Sequence, residues 1–537
     1  MLLTIPAAMS ELLHELLRTT AARHPDAEAL GHRHAAMTYG ALWNEVERAA
    51  AALSAWGLKR GERLGIYLDK RPEFVIAMFG AAAAGCVFVP INPVLKPRQV
   101  GYILRDCNVR LLITSAQRAA DLAGETAQCP DLASIAVVDA GADAAPPAGC
   151  ERLPWSELLG GGRSGPTSRV IDLDMAAILY TSGSTGNPKG VVLSHRNMVA
   201  GARSVSHYLE NMIDDRILSV LPLSFDAGLS QITTAFAVGA KVVLLNYLLA
   251  RDVVRACAEE RITGITGVPP LWIQLAEQEW PEAASRSIRY FANTGGHMPR
   301  ATLDRLRAAL PKAKPYLMYG LTEAFRSTYL EPSEVDRRPD SIGKAIPNAE
   351  ILVVRPNGTP CDAGEPGELV HRGALVSMGY WNDPERTAER FRPLPDRASG
   401  LCLPEMAVWS GDVVRRDEDG FLYFVGRRDE MIKTSGYRVS PTEVEEVIYS
   451  TGLIGAAAAF GAPHPRLGQA IIVVATPPAS RALDVEALMT ECRRQMPQYM
   501  VPSLIIEKPM LPSGPNGKID RKKLAEEFRD AFAAGEA

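Results

Sequence analysis

The chain has 537 residues, of which 47% are hydrophobic and 22% are charged, and its formal net charge is −4. This length exceeds what one ordinary hydrophobic core accommodates, so we expect at least two domains with the composition of a soluble globular protein. The slightly acidic balance gives no electrostatic reason to expect a nucleic-acid partner.

The cysteines and the N-terminal stretch indicate the compartment. Eight cysteines are scattered along the chain without a CxxC pair, so we expect neither a disulfide framework nor a zinc site. The opening MLLTIPAAMSELLHELL has no basic region before its apolar residues, which argues against a signal peptide. No apolar run approaches the ~20 residues needed to span a bilayer. We therefore predict a cytoplasmic protein without a membrane span.

Helical and strand patterns alternate along the first quarter of the chain. Apolar residues at helical spacing predict helices over residues 10–24, 39–56 and 72–84, with strands over 63–68 and 86–91. This alternation predicts parallel α/β units. Residues 141–168 are rich in Gly, Pro, Ala and Ser, so we predict a surface linker there, with a second α/β layer beginning at Ile171.

A glycine-rich segment, YTSGSTGNPKGVVLSH, covers residues 180–195 and follows a short apolar run typical of a buried strand. Glycines allow the backbone to approach a ligand, hydroxyls and amides donate to phosphate oxygens, and a lysine offsets the phosphate charge. The spacing differs from that of a Walker A loop, and an ordinary surface loop is the alternative interpretation. The candidate polyphosphate ligands are Thr181, Ser182, Gly183, Ser184, Thr185, Gly186 and Lys189.

The string Ser-Gly-Ser-Thr-Gly-x-Pro-Lys-Gly in this segment resembles the signature of the adenylate-forming superfamily, which includes acyl-CoA synthetases, peptide-synthetase adenylation domains and firefly luciferase. The resemblance covers residues 10–525 approximately and implies an α/β fold in two domains. Residues 1–428 would form a large domain of layered α/β subdomains with parallel-rich sheets and a small β-containing subdomain. Residues 429–537 would form a small, mobile α+β domain, with Asp429 at the hinge.

The acidic residue Asp226 stands just past an apolar strand pattern at residues 216–223. One interpretation is a carboxylate that caps the following helix. The other is a charged partner for the substrate, because Phe225-Asp226 resembles peptide-synthetase adenylation domains, in which this carboxylate holds the substrate amino group. Many acyl-CoA synthetases carry a histidine or an aromatic segment here instead.

Two further segments resemble parts of the family's substrate and adenine sites. Asn293-Thr-Gly-Gly-His resembles the adenine-facing loop, so Gly295 and Gly296 would let the purine approach the backbone. The resemblance also implies Gly267, Thr294 and Met318 as lining of the acyl pocket.

The motif Tyr319-Gly-Leu-Thr-Glu lies about as far from the glycine-rich segment as in the family. The resemblance implies that Tyr319 stacks on adenine, Thr322 contacts phosphate and Glu323 holds Mg²⁺. Magnesium in nucleotide sites is bound mainly through one or two carboxylates and the phosphates, which suits a single glutamate. A simple turn at a strand end is the alternative interpretation.

The C-terminal part carries the remaining charged candidates. By resemblance, Asp412 binds ribose, Arg427 reaches ribose or phosphate, and Arg438 contacts the nucleotide. Lys433 is associated with thioester formation, and Lys518, in the turn-rich stretch 512–521, would enter the cleft during adenylation. A loop of this kind suits a cation that must arrive and leave. Each charge taken alone has a solvated surface role as its alternative.

The implied activity is that of an AMP-forming carboxylic acid–thiol ligase that uses ATP and Mg²⁺. It would form an acyl-adenylate and then a thioester with phosphopantetheine, on CoA or on an acyl carrier protein. The alternative within this class is an amino acid adenylation enzyme that loads a carrier protein, with Asp226 binding the amino group. Two other classes stay open, an inactive binding protein with this fold and an oxidative enzyme of luciferase type.

Overall fold

The computed structural model describes residues 11–139, 150–160, 169–181, 188–394, 402–427, 430–434, 437–478 and 481–532, with the backbone alone for Arg438. Among these residues no helix is both long and apolar enough to cross a membrane.

Helices and strands alternate in the first part of the chain. The helices are α1 (Leu13–Arg23), α2 (Tyr39–Trp56), α3 (Pro72–Ala84), α4 (Pro97–Asp106), α5 (Ala116–Asp121), α6 (Ala123–Thr126), α7 (Trp155–Gly160) and α8 (His195–Tyr208). The strands are β1 (Glu28–His32), β2 (Ala35–Thr38), β3 (Arg63–Tyr67), β4 (Val87–Pro90), β5 (Val109–Thr114), β6 (Ser134–Val137), β7 (Glu151–Pro154), β8 (Met175–Thr181) and β9 (Lys189–Ser194).

Helix α2 matches its predicted range at both ends, and its boundaries have local causes. The Thr38 hydroxyl accepts a hydrogen bond from the Ala41 amide at 3.2 Å, and Gly57 ends the helix with φ +101°. The linker predicted over 141–168 was wrong for residues 151–160, which form β7 and α7. The apolar Trp155, Leu158 and Leu159 in that stretch are buried, so packing overrides its flexible composition.

Strands β3 to β9 form a seven-stranded sheet in the order β7-β6-β5-β3-β4-β8-β9. Its strand pairs are parallel except for β8 and β9, which form an antiparallel pair. The pair β8–β9 therefore lies at one edge of this sheet, with Thr181 opposite Lys189.

The middle of the chain adds further helices and strands. The helices are α9 (Asp226–Val238), α10 (Ala250–Glu259), α11 (Pro269–Ala276), α12 (Glu282–Ser287), α13 (Arg300–Ala309) and α14 (Pro384–Arg390), with 3₁₀ turns at Thr322–Ala324 and Pro332–Glu334. The strands are β10 (Arg216–Ser219), β11 (Lys241–Leu244), β12 (Gly264–Gly267), β13 (Tyr290–Asn293), β14 (Lys314–Tyr319), β15 (Thr328–Leu330), β16 (Ser341–Ala345), β17 (Ala349–Val354), β18 (Pro366–Gly373), β19 (Phe391–Pro393), β20 (Met406–Arg416) and β21 (Leu422–Arg427).

These strands join β1 and β2 in a 14-stranded sheet, ordered β17-β18-β20-β21-β16-β15-β14-β13-β12-β10-β11-β1-β2, with β19 beside β20. The run from β1 through β11, β10, β12 and β13 to β14 is parallel, and the strands from β15 onward are antiparallel. The predicted α/β fold with parallel-rich sheets and a small β-containing part is confirmed.

The largest core cluster contains residues from both large sheets and from α2, α3, α8 and α9, so these helices lie between the sheets. Three buried aromatic rings illustrate the packing. The ring of Phe236 lies 5.5 Å from that of Tyr39 and 5.4 Å from that of Phe79, centre to centre. Apolar burial of this kind is the main source of folding free energy.

The C-terminal part has its own sheet and apolar clusters. Its strands are β22 (Ile432–Thr434), β23 (Tyr437–Val439), β24 (Ala457–His464), β25 (Gly468–Ala475) and β26 (Leu504–Glu507), and its helices are α15 (Pro441–Ser450), α16 (Val485–Gln495) and α17 (Arg521–Glu527), with a 3₁₀ turn at Gln498–Met500. The sheet order is β23-β22-β25-β24, and β26 is parallel to β25.

Candidate active site

The glycine-rich segment is located by its two ends. Thr181 is the last residue of β8, and Lys189 is the first residue of β9. The predicted phosphate ligands Ser182, Gly183, Ser184, Thr185 and Gly186 lie outside the described residues. The hairpin geometry nevertheless fixes where the segment leaves and re-enters the seven-stranded sheet.

The side chain of Lys189 lies over Tyr380, with its Nζ atom 5.1 Å from the ring centre. The hydroxyl of Tyr380 donates a hydrogen bond to Oε1 of Glu323 at 2.5 Å. Partial burial lowers the pKa of Lys189, and the nearby charge of Glu323 opposes this effect. Two of the predicted phosphate and metal ligands are thus brought together by one aromatic side chain.

Tyr380 was missed by the sequence analysis. The signal that could have pointed to it is the aromatic pair in Gly-Tyr-Trp, 379–381, within a turn-rich stretch. Neighbouring Thr322, which was predicted, is buried in the 3₁₀ turn that also carries Glu323.

The predicted nucleotide residues Tyr319, Asp412 and Arg427 form one cluster. Asp412 and Arg427 are register partners on β20 and β21, and Arg427 Nε lies 3.2 Å from Asp412 Oδ1. The Tyr319 hydroxyl donates to Asp412 Oδ2 at 2.5 Å. Burial raises the pKa of Asp412, although the charge of Arg427 and the hydrogen bond from Tyr319 act in the opposite direction. The cluster offers a carboxylate and a cation beside an aromatic face.

Lys518 reaches the same cleft from the C-terminal part. Its Nζ atom lies 5.4 Å from the centre of the ring of Phe225, the residue that precedes Asp226. Lys518 is an exposed residue by surface area. Protein nevertheless crowds it, and the resulting desolvation lowers the pKa of Lys518 against the opposing charge of Asp226.

The predicted adenine-side glycine Gly295 makes room for this lysine. Its φ of +78° is a left-handed conformation that favours glycine, and a Cβ atom there would lie 2.7 Å from Lys518 Cε. Gly296 follows, and its carbonyl accepts a hydrogen bond from Asn293 Nδ2 at 2.8 Å. The tail loop is also fixed by Asn92, whose Nδ2 donates to the Pro515 carbonyl at 2.6 Å.

The other predicted residues of the C-terminal part are placed differently. Lys433 is exposed on β22, and its backbone amide donates to Gln469 Oε1 at 2.7 Å. Arg438 is its register partner on β23, described by its backbone alone. Asp429, the predicted hinge, lies outside the described residues. This arrangement of the chain presents Lys518 to the cleft and leaves Lys433 on the surface.

Asp226 is the first residue of α9, and its Oδ1 atom accepts a hydrogen bond from the Ala227 amide at 2.7 Å. Its Oδ2 atom lies 3.4 Å from Nη1 of Arg326, and both side chains are almost fully buried. Arg326, which the sequence analysis missed, follows the Tyr319–Glu323 motif by three residues and carried no signal beyond its charge.

A small cavity adjoins this ion pair. Its lining includes Ser230, Gln231, Thr234, Thr266, Met318 and Arg326. Of the predicted acyl-pocket residues, Met318 lines this cavity. Gly267 instead faces the indole of Trp272, since a Cβ atom there would lie 2.8 Å from that ring. Thr294 is buried, and its amide bonds the Gly267 carbonyl at 3.0 Å.

The architecture defines the chain as having the fold of adenylate-forming enzymes. The crystal structure of the anthranilate CoA ligase AuaEII in complex with anthranoyl-AMP matches it with a TM-score of 0.88 at 24% identity, over 98% of this chain and 99% of that chain. The family models described as AMP-binding enzyme and AMP-binding enzyme C-terminal domain match residues 17–381 and 443–518. The chain belongs to the AMP-binding enzyme family, as the sequence resemblance predicted.

The relatives include much longer proteins, of which the chain covers a small part, and proteins that it matches over nearly their full length. The chain covers only 6% of a linear gramicidin synthase protein of Brevibacillus parabrevis, with 29% identity over 520 residues. It is similar over nearly full length to L-proline--[L-prolyl-carrier protein] ligase of Streptomyces coelicolor, with 35% identity and 91% of each chain covered. It is also 30% identical to feruloyl-CoA synthase of an Amycolatopsis species, covering 94% of this chain and 96% of the relative.

Proposed function

We propose that the protein is an AMP-forming carboxylic acid–thiol ligase that makes carbon–sulfur bonds. The observation that carries the proposal is the placement of Lys518 in the cleft, against Gly295 and Phe225. In the first step the substrate carboxylate attacks the α-phosphorus of ATP. A P–O bond forms, the bond from the α-phosphorus to the bridging oxygen breaks, and pyrophosphate leaves. Lys518 offsets the charge of the carboxylate and the α-phosphate.

The remaining residues position the nucleotide. Tyr319 and the Gly295 backbone would face the adenine, while Asp412 and Arg427 would hold the ribose. Lys189 and the segment that begins at Thr181 would bind the phosphates. Positioning and charge neutralisation of this kind account for the rate, since the protein itself makes no covalent bond in this step.

Glu323 fits a role as the protein ligand of Mg²⁺. The described residues contain no cluster of three or more His, Cys, Asp or Glu that would form an all-protein metal cage. A single carboxylate held by Tyr380 matches the way Mg²⁺ binds with nucleotides, mainly through the phosphates and one or two carboxylates. When bound, the ion would neutralise phosphate charge.

The second step would use the other face of the C-terminal part. The sulfur of a phosphopantetheine thiol attacks the acyl carbon, the C–S bond forms, the C–O bond to AMP breaks, and the thiol proton passes to solvent. We propose that a rotation near Asp429 withdraws Lys518 and brings Lys433 to the cleft. Lys433 is exposed on β22, so its side chain is accessible for this second step.

A second candidate is an amino acid adenylation enzyme that loads an acyl carrier protein. The observation that favours it is the carboxylate of Asp226, buried beside a cavity in the substrate region. The similarity to a prolyl-carrier protein ligase is in accord with this candidate. In that case Asp226 would bind the substrate ammonium group, and the acceptor would be a protein thiol rather than CoA.

ATP–pyrophosphate exchange with a panel of carboxylic acids, with and without an amino group, tests both candidates. We expect acid-dependent exchange that is lost in Lys518→Ala and kept in Lys522→Ala, a surface control on α17. Adding CoA or a phosphopantetheinylated carrier protein then identifies the acceptor. Exchange that does not depend on an added acid would contradict the ligase proposal. Oxygen uptake coupled to AMP release would indicate the luciferase-type alternative.

A further inference from the structure

The strongest unassigned feature of the substrate region is the guanidinium of Arg326. Its side chain is only 3% exposed and lines the cavity described above. Its Nη1 atom donates to the Phe325 carbonyl at 3.0 Å and to Asp226 Oδ2 at a long 3.4 Å. Both contacts use the same nitrogen atom, so the pairing with Asp226 is not the bidentate arrangement that guanidinium and carboxylate prefer.

The other edge of the guanidinium carries an unpaired donor. Nε of Arg326 is buried and has no hydrogen-bond partner among the described residues. Buried donors are nearly always paired in native proteins, so an unpaired one that lines a cavity points to a missing partner. The Nε and Nη2 donors are parallel and match the two oxygens of a carboxylate.

The backbone holds Arg326 in this position. The preceding Phe325 has φ +55°, an unfavourable conformation for a residue with a side chain, and its ring is fully buried against Gly201. The Arg326 amide donates to the Ala324 carbonyl at 2.6 Å in a tight turn. Strained backbone of this kind persists where surrounding packing fixes it, and it is concentrated at functional sites.

Asp226 does not depend on Arg326 alone for its stabilisation. It stands at the N-terminus of the 13-residue helix α9, where the helix dipole favours negative charge, and its second oxygen is bonded to the Ala227 amide. The guanidinium can therefore bind a further anion without leaving the Asp226 carboxylate unsatisfied. The cavity lining mixes the polar side chains of Ser230, Gln231 and Thr234 with apolar ones such as Ile217 and Met318, and its small size excludes a long alkyl chain.

We propose that Arg326 determines substrate specificity by binding a second anionic group of the acid, at the end remote from the carboxylate that is activated. The inference rests on the proposed ligase function. It assigns the substrate class as dicarboxylic acids or acidic amino acids. Lys518 would face the reacting carboxylate, and the free edge of Arg326 would take the second anion.

Matched acid and amide pairs test this assignment in the ATP–pyrophosphate exchange assay. Suitable pairs are succinic and succinamic acid, glutaric and glutaramic acid, terephthalic and terephthalamic acid, aspartate and asparagine, and glutamate and glutamine. We expect the best substrate to be an acid whose amide partner has a kcat/KM lower by about 10- to 100-fold, as for loss of charged hydrogen bonds. Equal use of the two members of every pair, or a preference for the amide, overturns the proposal.

The variant Arg326→Gln should abolish the preference for the acid over its amide, mainly through KM. Arg326→Lys, which keeps the charge without the parallel donors, should retain part of it. Because Arg326→Gln leaves Asp226 without a cation, the double variant Arg326→Gln/Asp226→Asn serves if the single variant fails to fold. A preference that survives in the folded Arg326→Gln or double variant overturns the role of Arg326.

Calorimetric binding of the acid without ATP separates this inference from the ligase proposal. If only acids without a second anionic group support exchange and the diacid does not bind, the inference is contradicted and the ligase function stands. Arg326-dependent binding of the diacid without exchange supports the inference and contradicts the ligase function.

Discussion

Tyr380 links Glu323 and Lys189, the residues predicted to bind the metal ion and the phosphates. Its hydroxyl donates to Glu323 Oε1 at 2.5 Å, and its ring centre lies 5.1 Å from Nζ of Lys189. A cation over an aromatic face is attracted to the ring, so the same side chain orients both a carboxylate and a cation.

The variant Tyr380→Phe separates these two roles. It keeps the ring under Lys189 and removes the hydrogen bond to Glu323, so we expect the KM for ATP with Mg²⁺ to rise by about 3- to 10-fold, the effect of one ordinary hydrogen bond. Exchange kinetics at several Mg²⁺ concentrations measure it. Tyr39→Phe is the matched control, because its hydroxyl donates to the Ala240 carbonyl in the core. Equal KM values for Tyr380→Phe and the unaltered protein would contradict the orienting role.

Lys518→Ala should affect one half-reaction only. We expect adenylation to slow by about 10²- to 10³-fold, the typical loss for one charge-stabilising donor, while thioester formation from preformed acyl-adenylate continues. Rapid-quench measurement of each half-reaction, with Lys522→Ala as control, checks this expectation. An equal loss of rate in adenylation and in thioester formation would show that Lys518 is not specific to the adenylation step.

The pH dependence of adenylation should follow the same lysine. Desolvation lowers the pKa of Lys518 from its usual value of 10.5, while the charge of Asp226 opposes the shift. The required cation is present below the lowered pKa and is lost as pH rises through it, so the adenylation rate should fall on the alkaline side. The adenylation rate of Lys518→Arg, although lower overall, should not fall at alkaline pH, because arginine stays protonated. An alkaline limb unchanged in Lys518→Arg would assign it to another group.

The contact between His297 and Glu446 should stabilise the arrangement in which Lys518 occupies the cleft. His297 Nε2 lies 2.6 Å from Glu446 Oε2, and the Arg300 amide donates to Glu446 Oε1 at 3.3 Å. Removing these contacts in Glu446→Ala should lower the population of this arrangement. We expect adenylation to slow by about 3- to 10-fold without slower thioester formation.

Glu443→Ala on the same helix is the control for Glu446→Ala, because Glu443 is exposed. Burial alone would raise the pKa of Glu446, but the hydrogen bond and charge of His297 lower it below the usual 4.5. The contribution of Glu446 is therefore present above pH 4.5 and is lost as pH falls through the lowered pKa. Equal adenylation rates in the two variants would contradict the role of this contact.

Asp215 should be a major determinant of stability. It is 3% exposed, and its Oδ2 lies 2.7 Å from Arg289 Nη2, while Thr263 donates to its Oδ1 at 2.7 Å. Removing one partner of a buried ion pair leaves an uncompensated charge, so Asp215→Ala should lower the free energy of unfolding by about 3–5 kcal/mol. Urea denaturation measures this, with the exposed Glu282→Ala as control, expected within about 1 kcal/mol of the unaltered protein.

The acid sensitivity of folding should change in the same variant. Burial raises the pKa of Asp215, but the hydrogen bonds from Arg289 and Thr263 outweigh it, and the net pKa lies below 3.8. The stabilisation is complete well above pH 3.8 and is lost as pH falls through the lowered pKa. In Asp215→Ala the free energy of unfolding should therefore decrease less as the pH is lowered. An unchanged pH dependence would show that other carboxylates cause the loss of stability in acid.

The sequence by itself determined the family, the α/β class and the nucleotide-side candidates. Helix ranges such as 39–56 were predictable because apolar spacing and capping residues act over a few positions. Tyr319 to Glu323 was recognisable for a similar reason, since the motif is one contiguous string whose chemistry is local.

Tertiary structure alone decided which distant side chains meet. Arg326 pairs with Asp226 across 100 residues, Tyr380 bonds Glu323 across 57, and His297 meets Glu446 across 149. Sheet order and helix packing bring these groups together, and no spacing in the sequence encodes those distances. Arg326, which we propose selects the substrate, was hidden for that reason, whereas the residues predicted to bind the nucleotide stand in contiguous motifs.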